Sequence, residues 1–95
     1  MSYELRFHEL ALKEWRQLDG SVREPLKRKL AERLEQPRVP AAALHGMRDC
    51  YKIKLKQIGY RLIYRVDDTV VTVVVLAVGR RDGEQAYRQA QSRLS

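Results

Sequence analysis

The stretch from Cys50 to Val66, CYKIKLKQIGYRLIYRV, constrains the fold more than any other part of the chain. Its side chains alternate with a period of two, the repeat of a half-buried strand. Tyr51, Ile53 and Leu55 point one way, and Lys52, Lys54 and Lys56 the other. Beyond Gln57-Ile58-Gly59, residues Tyr60, Leu62, Tyr64 and Val66 share a face opposite Arg61, Ile63 and Arg65. The pattern predicts a hairpin with an apolar side and a cationic side, and Gly59 supplies the positive φ of its loop. Five cations stand in this stretch (Lys52, Lys54, Lys56, Arg61 and Arg65) without one carboxylate. Like charges held this close repel, so the row calls for an anionic partner, and a nucleic-acid backbone fits that description.

The remaining segments alternate or repeat in ways that complete a small α+β domain. Tyr3 to Phe7 has the strand period, with Tyr3, Leu5 and Phe7 against Glu4 and Arg6. From Glu9 to Leu18 the period lengthens, and Ala11, Leu12, Trp15 and Leu18 fall on one helical face. Gly20 is expected to close that helix as a C′ residue, and Ser21 to cap the next, with Glu24 completing a capping box. Pro25 has no N–H to offer the Ser21 carbonyl, so an irregular first turn is expected. Val22, Leu26, Leu30 and Leu34 form a buried stripe, and the helix stops before Pro37. Residues 37–47 are read as a rigid connector and a loop or short helical turn. After the cationic hairpin and an Asp67-Asp68 turn, Thr69 to Val78 reads as a central strand covered on both faces. Gly79 and Gly83 break the chain around Arg80-Arg81, and Glu84 to Leu94 forms a last helix.

The expected order is β-α-α-β-β-β-α, an antiparallel sheet packed against an N-terminal helical hairpin, in one domain spanning residues 1–95. A DNA-reading helix-turn-helix fits less well. Both helices carry continuous apolar stripes suited to lying on a sheet, and no third helix stands nearby to complete a trihelical core.

Totals exclude several classes. Nineteen basic and 12 acidic residues give a net charge of +7, which favours nucleic acid or an acidic protein as partner. Cys50 is the only cysteine, so no intramolecular disulfide forms. His8 and His45 stand too far apart in sequence for a metal-ligand spacing, and no cofactor or metal is expected. The opening residues are too polar for a signal peptide, and the longest apolar run, Val73 to Val78, is far too short to span a bilayer. A cytoplasmic protein that does not engage membranes is the expectation.

Several local patterns together resemble the RelE family of toxins from bacterial type II toxin–antitoxin pairs. They are ALKEW (11–15), LHGM (44–47), DCYKIKL (49–55), GYRLIY (59–64), VGRR (78–81) and Tyr87. The resemblance runs through the whole chain and implies a microbial-ribonuclease-like fold. It further implies a metal-independent endoribonuclease that enters the ribosomal A site and cuts mRNA through the RNA 2′-hydroxyl, leaving a 2′,3′-cyclic phosphate. The residues that the family uses match here as Lys52, Lys54, Arg61, Arg81 and Tyr87. Cations and a histidine around them (His45, Lys56, Arg65, Arg80, Lys27 and Arg28) are further candidates for RNA contact. Well-known members carry arginine where this chain has His45, a smaller and only partly charged group. The implied partners are an acidic RelB-like antitoxin, the ribosome and mRNA, with operator DNA reached only through the toxin–antitoxin complex.

The chemistry supports the resemblance independently. Transesterification of RNA needs a base for the 2′-hydroxyl, charge stabilisation of a five-coordinate phosphorane and an acid for the leaving oxygen. No histidine or glutamate stands in the cationic stretch. Two lysines side by side on one strand disfavour each other's charged form, so Lys52 or Lys54 is the expected base. Arg61 and Arg81 offer planar forks that grip phosphate oxygens, and Tyr87 offers a ring for an unpaired base. Plainer readings exist for each. Lys52 and Lys54 also suit a solvated sheet face, and Arg61 and Arg65 suit ion pairs with Asp67, Asp68 or Glu84. Arg81 also suits a strand end, and Tyr87 helix packing. Two other functions fit the same outline. ParE-type toxins share the fold and inhibit gyrase by protein contact without the cationic set, and a non-catalytic nucleic-acid-binding module would need only the charge.

Overall fold

Alternation sets the strands and the four-residue stripe the longer helix. The computed structural model, which describes residues 2–80 and 84–94, has the expected order of elements. They are β1 (Glu4–Phe7), α1 (Glu9–Arg16), α2 (Gly20–Glu35), a 3₁₀ turn (Pro40–Ala42), β2 (Cys50–Leu55), β3 (Tyr60–Asp67), β4 (Thr72–Arg80) and α3 (Gln85–Arg93). The sheet runs β1-β4-β3-β2. β2, β3 and β4 form an antiparallel meander, while β1 lies parallel to β4, from Glu4 beside Thr72 to Phe7 beside Val75. The sheet is therefore mixed rather than wholly antiparallel, and β4 is a central strand.

The helices cover opposite faces. The α1–α2 hairpin places Ala11, Val22, Leu26 and Leu30 over Tyr51, Ile53, Leu55, Leu62, Tyr64, Val66, Val73, Val75 and Val78. On the other face, Ala86 and Ala90 of α3 pack on Leu44, Met47, Cys50, Ile63, Leu76 and Ala77. A bulge adjusts the fit between them. Ile63 pairs with Ala77 but Tyr64 with Val75, so Leu76 is the extra residue. Leu76 and Ala77 thus both join the α3-side cluster, and from there on the parity of β4 is reversed.

Several local expectations differ. Asp19, not Ser21, caps α2, its carboxylate accepting from the Ser21 N–H at 3.0 Å. A carboxylate outcompetes a hydroxyl at the positive end of a helix. Gly20 accordingly opens α2 instead of closing α1, and α2 runs unbroken through Pro25. The β3–β4 turn is also longer than expected. Thr69 to Val71 stay in it, the Thr69 N–H donates to the Asp67 carboxylate at 3.0 Å, and Val71 takes a φ of 50°. An unbroken run of β-branched residues from Thr69 to Val75 conceals such a boundary because the turn residues read as strand, and here one of them, Val71, accepts a strained conformation. Finally, β4 continues past Gly79 to Arg80.

Polar ties fasten the layers at two places. The Tyr64 hydroxyl donates to the Pro37 carbonyl at 2.7 Å and accepts from Arg33 at 3.0 Å, pinning the end of α2 to the sheet. Burial raises the Tyr64 phenol above its ordinary value, and it remains a donor. The second tie lies on the outer edge of β4, where β1 pairs only with residues 72–75. Beyond β1, the Val78 N–H donates to the Glu14 carboxylate at 3.2 Å, and the Leu76 carbonyl accepts from Arg93 at 2.8 Å.

Candidate active site

The α3 face of the hairpin is where Lys52, Lys54, Arg61 and Tyr87 of the predicted site meet. Lys54 stands directly across from Arg61, and Lys52 across from Ile63, with Arg61 in turn beside Gly79 of β4. Backbone register holds Lys54 and Arg61 together, since opposed side chains on one face of an antiparallel pair lie within contact range. The cationic parity read from the sequence is thus realised as one face, with Lys52, Lys54, Arg61 and Arg65 all half-buried on it.

Tyr87 reaches this face from α3. The Arg61 guanidinium carbon lies 4.7 Å from the centre of the Tyr87 ring, a cation–π contact. Among the described residues, the Arg61 Nε is a buried donor without an acceptor. An unsatisfied buried donor is costly, so the fork is held by stacking while part of its hydrogen-bonding capacity stays unused. Asp68, an expected partner for Arg61 or Arg65, instead pairs with Arg38 at 2.8 Å and accepts from the Tyr3 hydroxyl at 2.6 Å. Both bonds hold the Asp68 carboxyl below its ordinary range, the Tyr3 contribution being the larger.

The other candidates divide by layer. Arg65 lies between Cys50 and Val74 on the α3 face. His45 is exposed in a turn whose neighbours Leu44 and Met47 are buried in the α3-side cluster, and Gly46 provides the positive φ of 79° that the turn requires. Lys56 is exposed in the β2–β3 turn. Lys27 and Arg28 lie on the exposed surface of α2, on the opposite side of the sheet. Arg80 also leaves the group, because the bulge turns it to the hairpin face, where its guanidinium stands 5.5 Å from the Tyr60 ring. Arg81 lies outside the described residues.

Two contributions were not legible in the sequence. Lys29 and Arg33 of α2 join Lys52 and Lys54 around a groove of about 350 Å³ between α2 and β2. Arg33 crosses that groove to donate to the Lys52 carbonyl at 3.0 Å, which steadies the strand carrying both lysines. Glu14 and Arg93 meet far apart in sequence, and no local pattern announces such a pair. Among the described residues, no three His, Cys, Asp or Glu side chains gather as a metal site, and no helix is long and apolar enough to cross a membrane.

Comparison with known proteins places this geometry in context. The family described as the ParE toxin of the parDE type II toxin–antitoxin system matches residues 5–84. The chain is 54% identical over 94 residues to the mRNA interferase toxin RelE of Escherichia coli K12, covering 99% of each protein. It superposes on a free arginine-to-alanine double mutant of E. coli RelE with a TM-score of 0.93 at 53% identity, covering 100% of both chains. Against the intact E. coli RelBE toxin–antitoxin complex the TM-score is 0.82 at 58% identity, covering 83% of this chain and 96% of the other.

Proposed function

The chain belongs to the RelE/ParE family of toxins from type II toxin–antitoxin systems, and we propose that it is a ribosome-dependent endoribonuclease that cuts mRNA in the A site. The observation that carries this reading is Arg61, stacked under Tyr87 and in register with Lys54 on the cationic face of the hairpin. A gyrase-directed toxin has no use for such a constellation, and the 54% identity to an mRNA interferase points the same way.

In the proposed mechanism, Lys52 or Lys54 acts as the general base that takes the proton of the RNA 2′-hydroxyl. The 2′-oxygen then attacks the adjacent phosphorus, the bond to the 5′-oxygen breaks, and that leaving oxygen is reprotonated. The product carries a 2′,3′-cyclic phosphate. Arg61, with Arg81 by resemblance, holds the non-bridging oxygens as charge builds on them. Tyr87 offers its ring to an unpaired base. Lysine is a modest catalyst, so much of the rate comes from a substrate held in line, which a ribosome-bound message supplies. His45, Arg65 and Lys56 extend the RNA contact around the site, and Lys27, Arg28 and Arg80 suit ribosomal contacts on other sides of the molecule.

The cognate antitoxin is an acidic RelB-like protein that covers the cationic face. Operator DNA is reached only through that complex, and the setting is the cytoplasm. A translation reaction with purified protein, followed by mapping of mRNA 5′ ends, tests the reading. Codon-specific cuts in translated messages are expected. Intact mRNA together with stalled replication would replace it with gyrase inhibition. Arg81→Ala should abolish growth inhibition while leaving the circular dichroism spectrum unchanged.

A further inference from the structure

Tyr87 is delivered by a helix with a slender apolar anchor. Within α3 only Ala86 and Ala90 are fully buried, with Tyr87 and the following Leu94 packed partly buried against the same cluster, so the helix buries little apolar area. Contacts this slight define only weakly how a helix is rotated or where it stands along the sheet. The other hold on α3 is polar and directional. Arg93, in its last turn, has a side chain only 9% exposed. Its fork meets both Glu14 carboxylate oxygens at 2.9 and 2.8 Å and also donates to the Leu76 carbonyl at 2.8 Å. The same carboxylate accepts from the Val78 N–H at 3.2 Å. Together the two side chains occupy the stretch of β4 edge beyond the reach of β1, one residue short of Gly79, which lies beside Arg61.

We propose that the Glu14–Arg93 pair is a positioning device for the site, locking α3 on β4 in the one placement that holds Tyr87 over Arg61. This deepens the ribonuclease reading above and rests on it. Neither residue touches RNA in this scheme. They act through Tyr87, and the bidentate fork is what makes the hold directional, because a lysine ammonium in the same place fixes no plane. A partly buried pair is a poor choice for stability alone, since desolvation offsets much of its attraction. A pair that fixes a helix register adds something that apolar contact between alanines does not supply.

The test combines kinetics with a direct view of the ring. Single-turnover cleavage on mRNA-programmed ribosomes is measured across ribosome concentrations for Arg93→Ala, Arg93→Lys, Tyr87→Ala and the double variant Arg93→Ala/Tyr87→Ala. In parallel, the Arg61 Nε–H resonance reports the ring current of Tyr87. Arg93→Ala is expected to lower the maximum rate about tenfold or more, with half-saturation changed less than about twofold, and to move the Arg61 resonance towards its unstacked position. Arg93→Lys should recover little. In the Tyr87→Ala background, removing Arg93 should cost less than about twofold more, because its effect runs through the ring. Full-rate cleavage with an unmoved Arg61 resonance, or losses that multiply in the double variant, would overturn the proposal. If Arg93→Ala does not fold, Glu14→Gln, which keeps an acceptor for the Val78 N–H, is expected to show the same loss and the same resonance shift. Should the wild-type protein fail to cut ribosome-bound mRNA, the ribonuclease reading falls, and the Arg61 resonance still decides whether the pair places Tyr87.

Discussion

One sheet presents two faces packed on different principles. Beneath the α1–α2 hairpin, large side chains interlock: Leu26, Leu30, Leu62 and Tyr64 are each at most 1% exposed. Beneath α3, the helix contributes two buried alanines, with Tyr87 and Leu94 only partly buried beside them, and the face carries Lys52, Lys54, Arg61 and Arg65. The first face is determined by volume, because any methylene removed leaves a void. The second is determined by direction, through a stacked guanidinium, an ion pair and a strand register. Strand alternation lets the same residues 50–67 serve both, with stability on one side and chemistry on the other. The lesson is that a small domain need not weaken its core to hold a charged site if the two share strands but not faces.

The largest expected effect tests the volume-packed face. Leu26→Ala should destabilise the protein by about 2–5 kcal/mol in urea denaturation, while the cleavage rate per folded molecule stays unchanged. A rate that fell with stability would show that the faces are not separable.

Arg61→Ala probes the other side. Cleavage should fall about a hundredfold, on the order of 2.7 kcal/mol in the barrier, with the unfolding free energy moved by less than about 0.5 kcal/mol. A large loss of stability would mean that the guanidinium is part of the core.

Tyr64→Phe removes the tie between the faces' scaffold and the end of α2. Losing the bond to the Pro37 carbonyl should cost about 1–2 kcal/mol and leave cleavage nearly intact.

The smallest effect sharpens the picture of the α3 side. Burial pushes the Cys50 thiol up to about 11 from an ordinary 9.0. A raised folded value favours the protonated form. Its contribution is therefore complete below about pH 9 and declines as pH climbs towards 11, a slope that Cys50→Ala should remove. In the native protein at pH 8, alkylation of Cys50 should be far slower than in urea. Alkylation at the unfolded rate would show that α3 lifts freely from the sheet.

Much of this architecture was legible in the chain itself. Alternation between Cys50 and Val66 announced the hairpin and its two faces, and the stripe of Val22, Leu26 and Leu30 announced the longer helix. The clustering of Lys52, Lys54 and Arg61 on one parity pointed to the site, since side-chain direction in a strand follows from position alone. Tertiary structure decided what periodicity does not encode. The parallel berth of β1 beside β4 depends on which edge remained open once the meander had formed. The bulge at Leu76, which sends Arg80 to the hairpin face, answers to how α3 and the hairpin fit opposite sides of β4. Asp19 displaced Ser21 as the cap because an acceptor's strength counts at a helix end, not only its spacing. Glu14 and Arg93 found each other across almost the whole length of the chain, at a strand edge that β1 is too short to cover. Period is a property of neighbours in sequence, whereas these outcomes are set by which backbone groups and surfaces are left unsatisfied once distant segments have packed.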